Sequence, residues 1–338
     1  MTSKELNKQY QIESRKLKDT FFLDAKTGEI TKVGYDYIHL DNTTKRLSSK
    51  FASNNLSRSD DPFFNVFLRF NQNLKNTYNL SFNELGQLLV LMSYTNYRNL
   101  DDKRSYIILK QRNVQSNSQL KSILNISDSS VRKIKKKLID NNILFEDEKG
   151  LYFLDSFVAR GKIYKYNRQQ NKQMYKILIK TVHKIAETLQ EEGNKNKYKA
   201  LGFLFSLLPF IKVTNEEDKK KGLSASHNVL VTDSINTYNE YMPIKKDELA
   251  QHLGVSKSTI YDETRRLNKV MRQIYDEDLI FEMNFTLRAV GSKSNTYKTK
   301  QWVINPRFSY SSDKTSEEYK MINTYLEQQK SNDSSDVA

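Results

Sequence analysis

DELAQHLGVSKSTIYDETRRL, residues 247–267, has the spacing of two short helices joined by a tight turn. Leu249, Ala250 and Leu253 share one face at helical spacing. Gly254 follows where the first helix must stop, because glycine tolerates the left-handed backbone there. Val255 plugs the core, and Ser256 stands where a hydroxyl can cap the free amides of the next helix. In that second helix Ile260 and Leu267 turn inward as an i, i+7 pair, while Lys257, Ser258, Thr259, Tyr261, Arg265 and Arg266 face elsewhere. The pattern predicts a helix-turn-helix whose second helix enters the major groove of double-stranded DNA. An ordinary helical hairpin with a solvated basic face would share much of it, so the composition of the whole chain weighs in the choice.

The chain has 338 residues, with 55 Lys plus Arg against 40 Asp plus Glu and a formal charge of +15. That length is room for two domains of roughly 150 residues. A sequence pI near 9.5 favours an anionic partner, and nucleic acid is the commonest one. No apolar run approaches the roughly 18 residues needed to cross a bilayer, so no membrane role is expected. The polar start, MTSKELNKQYQIESRK, is unlike a signal peptide, and cysteine is absent, which excludes disulfides and thiolate metal sites. A cytoplasmic location suits such a chain. Only 10 Gly and 4 Pro argue for a helix-rich fold with few tight hairpins.

Residues 1–60 read as a flexible N-terminal arm and linker, in which FFLDAKTGEITKV (21–33) predicts a small hairpin or extended arm. Residues 61–161 form the first expected domain. Phe64, Phe67, Leu68 and Phe70 predict a helix through about Asn76, and Ser81 with Glu84 makes a capping box before a buried helix over 85–97. Helices over 120–124 and 128–141, the latter with Val131, Ile134 and Leu138 inward, precede a hairpin of 143–145 and 151–154. Residues 162–310 form the second domain. Met174, Leu178, Val182, Ile185 and Leu189 predict one long amphipathic helix over 162–192. A buried helix over 198–208 stops at Pro209; then come the opening stretch, a helix through Tyr275 and a longer hairpin with strands 279–287 and 300–304. Residues 311–338 are a polar tail with one short helix around 317–329. The expected fold is mainly α with small β-hairpin wings (α+β), two winged-helix domains in tandem.

The halves follow one plan. LGQLLVLMSY from Leu85 answers LGFLFSLLPF from Leu201, an offset of 116, and ISDSSVRKIKKKL from Ile126 answers VSKSTIYDETRRL from Val255, an offset of 129. Ser127 matches Ser256, Val131 matches Ile260, and Leu138 matches Leu267. Features common to all helix-turn-helix units would produce some of this likeness without common descent.

In the first second-helix, Ser129, Ser130, Arg132, Lys133, Lys136 and Lys137 point away from the core stripe. Hydroxyls and amides at a helix start can grip phosphate, and arginine can fork onto guanine N7 and O6. Lys135 to Lys137 have a second explanation, since the macrodipole favours cations near a helix C-terminus. The first hairpin is acidic at its tip (Glu146, Asp147, Glu148) and makes a poor minor-groove probe. The second carries Arg288, Lys293, Lys298 and Lys300, a basic wing suited to phosphate or minor-groove contact. No G-x-x-x-x-G-K-[ST] loop is present, and His39, His183, His227 and His252 form no metal-binding pair, with His183 and His252 expected as surface or cap residues. Neither catalysis nor a cofactor is expected.

Residues from about 21 to 163 resemble the RepL family of Firmicute plasmid replication initiators. The likeness lies in FFLDAKTGEITKV, in FFNVFLRF, and in IDNNILFEDEKGLYFLDSFVARGKI with its Arg160-Gly161 pair. That family ends soon after one winged helix, so the second half departs from it. Two tandem winged helices are similar in architecture to theta-type plasmid initiators. Together the likenesses imply an initiator that binds and opens its origin and recruits host replication proteins. The leading expectation is a plasmid or phage initiator. The alternative is a winged-helix transcriptional regulator, a homodimer joined through the helix expected over 162–192.

Overall fold

The computed structural model describes residues 20–23, 30–33, 62–67, 74, 78–97, 103–160, 174–192, 196–212, 228–235, 241–288, 296–310, 322 and 324–326. The chain divides into two compact units, Met1–Pro62 and Phe63–Ala338. In the first unit β1 (Thr20–Leu23) pairs antiparallel with β2 (Ile30–Val33), Leu23 opposite Ile30, which is the small hairpin expected of that stretch.

The second unit is mixed α/β with small sheets. It opens on β3 (Phe63–Phe67), where the sequence predicted a helix. FFNVF is a short continuous apolar run, which fits either period; Phe64, Asn65, Val66 and Phe67 are all buried, as in a strand covered on both faces. Leu74 is helical, but Leu68 and Phe70 of the predicted stripe lie outside the described residues. Next comes α1 (Phe82–Ser93), held at its start by the expected capping box. Glu84 N–H donates to Ser81 Oγ at 3.3 Å, and Ser81 N–H donates to Glu84 Oε2 at 2.8 Å. After β4 (Arg104–Tyr106) and the small ribbon of β5 (Ile108–Leu109) and β6 (Arg112–Asn113) come α2 (Asn117–Leu124) and α3 (Asp128–Asp140). A hairpin of β7 (Phe145–Asp147) and β8 (Gly150–Leu154) follows, with β4 added on the far side of β8. β9 (Val158–Ala159) then returns to pair with β3.

The second half starts on β10 (Met174–Leu178) and continues as α4 (Ile179–Glu191). The single long helix expected over 162–192 is therefore replaced, in its described part, by a strand and a helix. In MYKIL the buried Tyr175 and Ile177 alternate with half-buried Met174 and Lys176, a period of two that five residues of helical spacing can hide. Val182, Ile185 and Leu189 are buried on α4 as expected. The buried helix α5 (Lys199–Leu207) ends in a 3-10 turn at Leu208–Phe210 around Pro209. The paired strands β11 (Val231–Ile235) and β12 (Tyr241–Pro243) lead into α6 (Lys246–Leu253) and α7 (Lys257–Tyr275). The helix expected to follow through Tyr275 is α7 itself, unbroken. Last are the nine-residue strands β13 (Ile280–Arg288) and β14 (Thr296–Ile304), paired with each other, and β15 (Ser309–Tyr310).

Two relationships tie the halves together. The four-stranded antiparallel sheet has the order β9-β3-β10-β15. Its centre is the pair formed by the first strand of each half, and each half's last strand lies outside. Above it, α1 and α5 cross at glycines. A Cβ on Gly202 would overlap the carbonyl oxygen of Phe82 and come within 2.8 Å of Gly86 N. A Cβ on Gly86 would overlap the carbonyl oxygen of Tyr198 and come within 2.9 Å of Tyr198 Cβ. Phe82 and Tyr198 are separated by the same 116 residues as the two glycines. The contact is reciprocal, as at a two-fold interface, but within one chain. One apolar core runs from Phe64 to Phe308 through both halves. A smaller cluster lies on the long hairpin, where Ile322 and Leu326 pack with Phe281, Met283 and Val303.

Candidate nucleic-acid interface

α2 with α3, and α6 with α7, are built alike. α2 ends on Asn125 (φ 47°) and α6 on Gly254 (φ 60°), both left-handed and separated by the repeat offset of 129. Each second helix then begins on a serine that gathers hydroxyls. Ser130 N–H donates to Ser127 Oγ at 3.3 Å, and that oxygen lies 3.0 Å from Ser129 Oγ and 2.9 Å from Ser130 Oγ. In α7, Thr259 N–H donates to Ser256 Oγ at 3.1 Å, with Ser258 Oγ at 2.7 Å and Thr259 Oγ1 at 2.9 Å. The four hydroxyl residues named from the sequence, Ser129, Ser130, Ser258 and Thr259, are thus brought together two by two at the helix starts. Val131, Ile134 and Leu138 of α3, and Ile260 and Leu267 of α7, are buried as expected.

The candidate cations separate into three groups. Arg132, Lys133 and Lys136 on α3 and Arg265 on α7 are exposed and make no ion pair or side-chain hydrogen bond among the described residues. Lys137 and Arg266, at matching positions, are half-buried and bonded within the chain. Lys137 Nζ lies 2.7 Å from Glu84 Oε2 and donates to Asn79 O at 2.9 Å. Arg266 puts Nε and Nη2 at 3.2 and 3.1 Å from one oxygen of Glu192. The carboxylates arrive from elements far away in the chain, so helical periodicity gives no sign of them. Lys135 pairs with Glu146 at 2.9 Å, and Lys257 pairs with Asp247 at 2.6 Å while both stay exposed.

Tyr261 is 60% exposed and belongs to a cluster that the sequence did not reveal. Lys246 Nζ donates to its hydroxyl at 3.2 Å and sits 4.5 Å from the centre of its ring, 4.9 Å from the Trp302 ring and 3.2 Å from Glu282 Oε1. Trp302 Nε1–H donates to the same carboxylate oxygen at 2.8 Å. Burial works against the charge on Lys246, but the bonds to Tyr261 and Glu282 outweigh it and raise its pKa. These residues come from α6, β13, β14 and α7; the lone tryptophan was the one available hint.

The two hairpins differ as the sequence suggested in charge. At the first tip Asp147 accepts bonds from Tyr106 Oη at 2.7 Å, Lys149 N–H at 2.8 Å and Gly150 N–H at 3.1 Å. Burial pushes the Asp147 carboxyl up, yet these bonds and that from Arg104 hold it below the usual range. In the second hairpin Arg288 stands opposite Thr296, Lys298 opposite Thr286 and Lys300 opposite Asn284. Lys293 lies outside the described residues, as do His39 and His227.

His183, expected at the surface or a cap, instead stacks on Tyr94 with ring centres 4.6 Å apart and shares a 2.8 Å hydrogen bond between its Nε2 and Ser93 Oγ. His252 is exposed, edge-on to Phe210. Among the described residues no group of three or more His, Asp or Glu could hold a metal ion, and no helix is long and apolar enough to cross a membrane. In comparisons with known proteins, no family model, no curated protein and no solved structure matches this chain.

Proposed function

We propose that this chain is a sequence-specific double-stranded DNA-binding protein with two tandem winged-helix units, acting as the replication initiator of a plasmid or phage. The observation that carries the reading is the matched pair α3 and α7. Each starts on a gathered set of hydroxyls and leaves a cation free at the same position, Lys136 on one and Arg265 on the other. The two helices lie in major grooves. Ser129, Ser130, Ser258 and Thr259 meet phosphate at the helix starts, Arg132 and Arg265 reach base edges, and Lys133 and Lys136 hold phosphates. Tyr261, steadied by Lys246, adds an apolar and hydroxyl contact. The second hairpin, with Arg288, Lys293, Lys298 and Lys300, lies along the backbone or minor groove. The charge of +15 and the resemblance to RepL support the same reading. Recruitment of host replication proteins follows from that resemblance. No step needs a catalytic group or a cofactor.

Footprinting on DNA flanking the gene tests this. Protected direct repeats, with loss of plasmid copying when the gene is deleted, are the expected result; equal affinity for random DNA would overturn it. The quasi-two-fold contact of α1 and α5 favours a second reading, a transcriptional regulator on a short palindrome, because two-fold proteins mirror two-fold operators. Altered transcription without loss of copying would select it. A metal-dependent nick in supercoiled plasmid, abolished by one Tyr→Phe change, would show an enzyme instead.

A further inference from the structure

The corner between α4 and α5 touches both recognition units. On one side it grips the turn of the first. Tyr198 Oη donates to Leu124 O, Lys197 Nζ donates to Asn125 O, and Asn125 Nδ2 donates to Gln190 Oε1 at 3.1 Å. Gln190 Nε2 in turn donates to Tyr198 Oη at 2.8 Å, closing a ring of four residues. Leu124 O and Asn125 O belong to the end of α2, where carbonyls lack partners within the helix. The second half of the chain supplies those partners. Tyr198 is buried, which pushes its hydroxyl pKa up and keeps it a donor.

On the other side the same corner grips α7. Glu192 accepts the fork from Arg266 and lies 3.6 Å from Lys269 Nζ, and Arg266 also reaches Asn196 O at 3.5 Å. Lys199, at the start of α5, pairs at 2.7 Å with Glu263, whose side chain is almost wholly buried. Apolar burial is non-directional, whereas these bonds are directional and end on both units.

Asn125 shows that this grip belongs to one side of the fold. It shares its left-handed backbone with Gly254, and asparagine is the usual substitute for glycine there. Only Asn125 carries an amide that can reach Gln190.

We infer that this corner is the spacer between the two recognition helices, and that Gln190, Glu192, Lys197, Tyr198 and Arg266 are positioning residues that decide which separation of half-sites the protein accepts. The inference rests on reading α3 and α7 as DNA-reading helices, but its geometric part stands without DNA.

The chain has no cysteine, so spin labels can be placed at Asp140→Cys on α3 and Asp262→Cys on α7 of the full-length protein. Pulsed dipolar spectroscopy is expected to give one narrow distance distribution. Adding Glu192→Ala with Lys197→Met should broaden it. Glu192→Arg alone should broaden it too, and Glu192→Arg with Arg266→Glu should narrow it again. Should the first pair fail to fold, Asn125→Gly takes its place, since it keeps the backbone and removes the Gln190 contact. An unchanged width in folded Glu192→Ala/Lys197→Met protein overturns the spacer. In unlabelled protein, duplexes selected from a random pool are then respaced by one base pair. The parent should lose about tenfold in affinity and the spacer variant about threefold or less. Equal losses would overturn the specificity role. A parent that binds no duplex overturns the DNA reading, while the label distances still test the corner itself.

Discussion

Lys137 turns its charge inward, its Nζ 2.7 Å from the Glu84 carboxylate that caps α1. Burial tends to raise the Glu84 pKa, but the Lys137 and Ser81 bonds hold it below the usual range. Lys137→Met should therefore leave the salt dependence of DNA binding unchanged and cost about 1–2 kcal/mol of folding stability. Lys133→Met and Lys136→Met should do the reverse, each reducing the slope of log K against log salt by about 0.9. Binding measured at several salt concentrations, with urea denaturation alongside, separates the two behaviours. A reduced slope for Lys137→Met would mean that it leaves Glu84 on binding.

Arg265 and Arg266 are neighbours with opposite surroundings. Arg265→Ala should weaken binding to the footprinted site by about 1–3 kcal/mol and leave random-sequence binding less affected. Arg266→Ala should act through the fold, changing the thermal midpoint and the tolerance to half-site spacing. Anisotropy titrations on specific and random duplexes check this; equal loss on both for Arg265→Ala would reduce it to a phosphate contact.

Gly→Ala inside a helix ordinarily stabilises by about 1 kcal/mol. At Gly86 and Gly202 the sign should invert, because the new methyl would overlap a backbone carbonyl of the facing helix, which has no flexible end to move aside. A loss of at least about 2–3 kcal/mol in urea denaturation is expected for either substitution. Stability equal to the parent's would mean that the helices separate without cost.

His183 should give a pH dependence of its own. Burial, and then the positive Arg160 nearby, hold its pKa below the ordinary value. In the unfolded chain it takes up a proton as pH falls through about 6.5, while in the fold it stays neutral, so the unfolded state binds more protons. Stability is therefore full above that pH, falls as pH drops through it, and levels off below the lower folded pKa. Glu84 and Asp147, both lowered, lose their contributions further down, in the carboxylate range. Denaturation midpoints at pH 7.5 and 5.5 should differ less in His183→Gln than in the parent.

The readable parts of this fold were those whose signals are local. Ser127 and Ser256 cap helices one turn away, Gly254 ends the helix it follows, and Val131, Ile134 and Leu138 repeat within three turns. β3 and β10 were not readable, because each is five residues long and each finds its partner in the other half of the chain. The same holds for the interface. The outward faces of α3 and α7 follow from periodicity, but the pairing of Lys137 and Arg266 depends on carboxylates 53 and 74 residues away.

The reciprocal glycine contact lies inside a single polypeptide, and that removes a limit under which symmetric dimers work. Two identical subunits hold their paired heads together only above a dissociation concentration, and any substitution strikes both heads at once. Here covalent continuity keeps the pair assembled at every dilution. Each head is also free to change alone: Arg132 stands where Tyr261 stands, and Lys136 where Arg265 stands. On the proposed DNA-binding reading, this near-symmetry would let the chain adapt to target sites whose two halves are unequal.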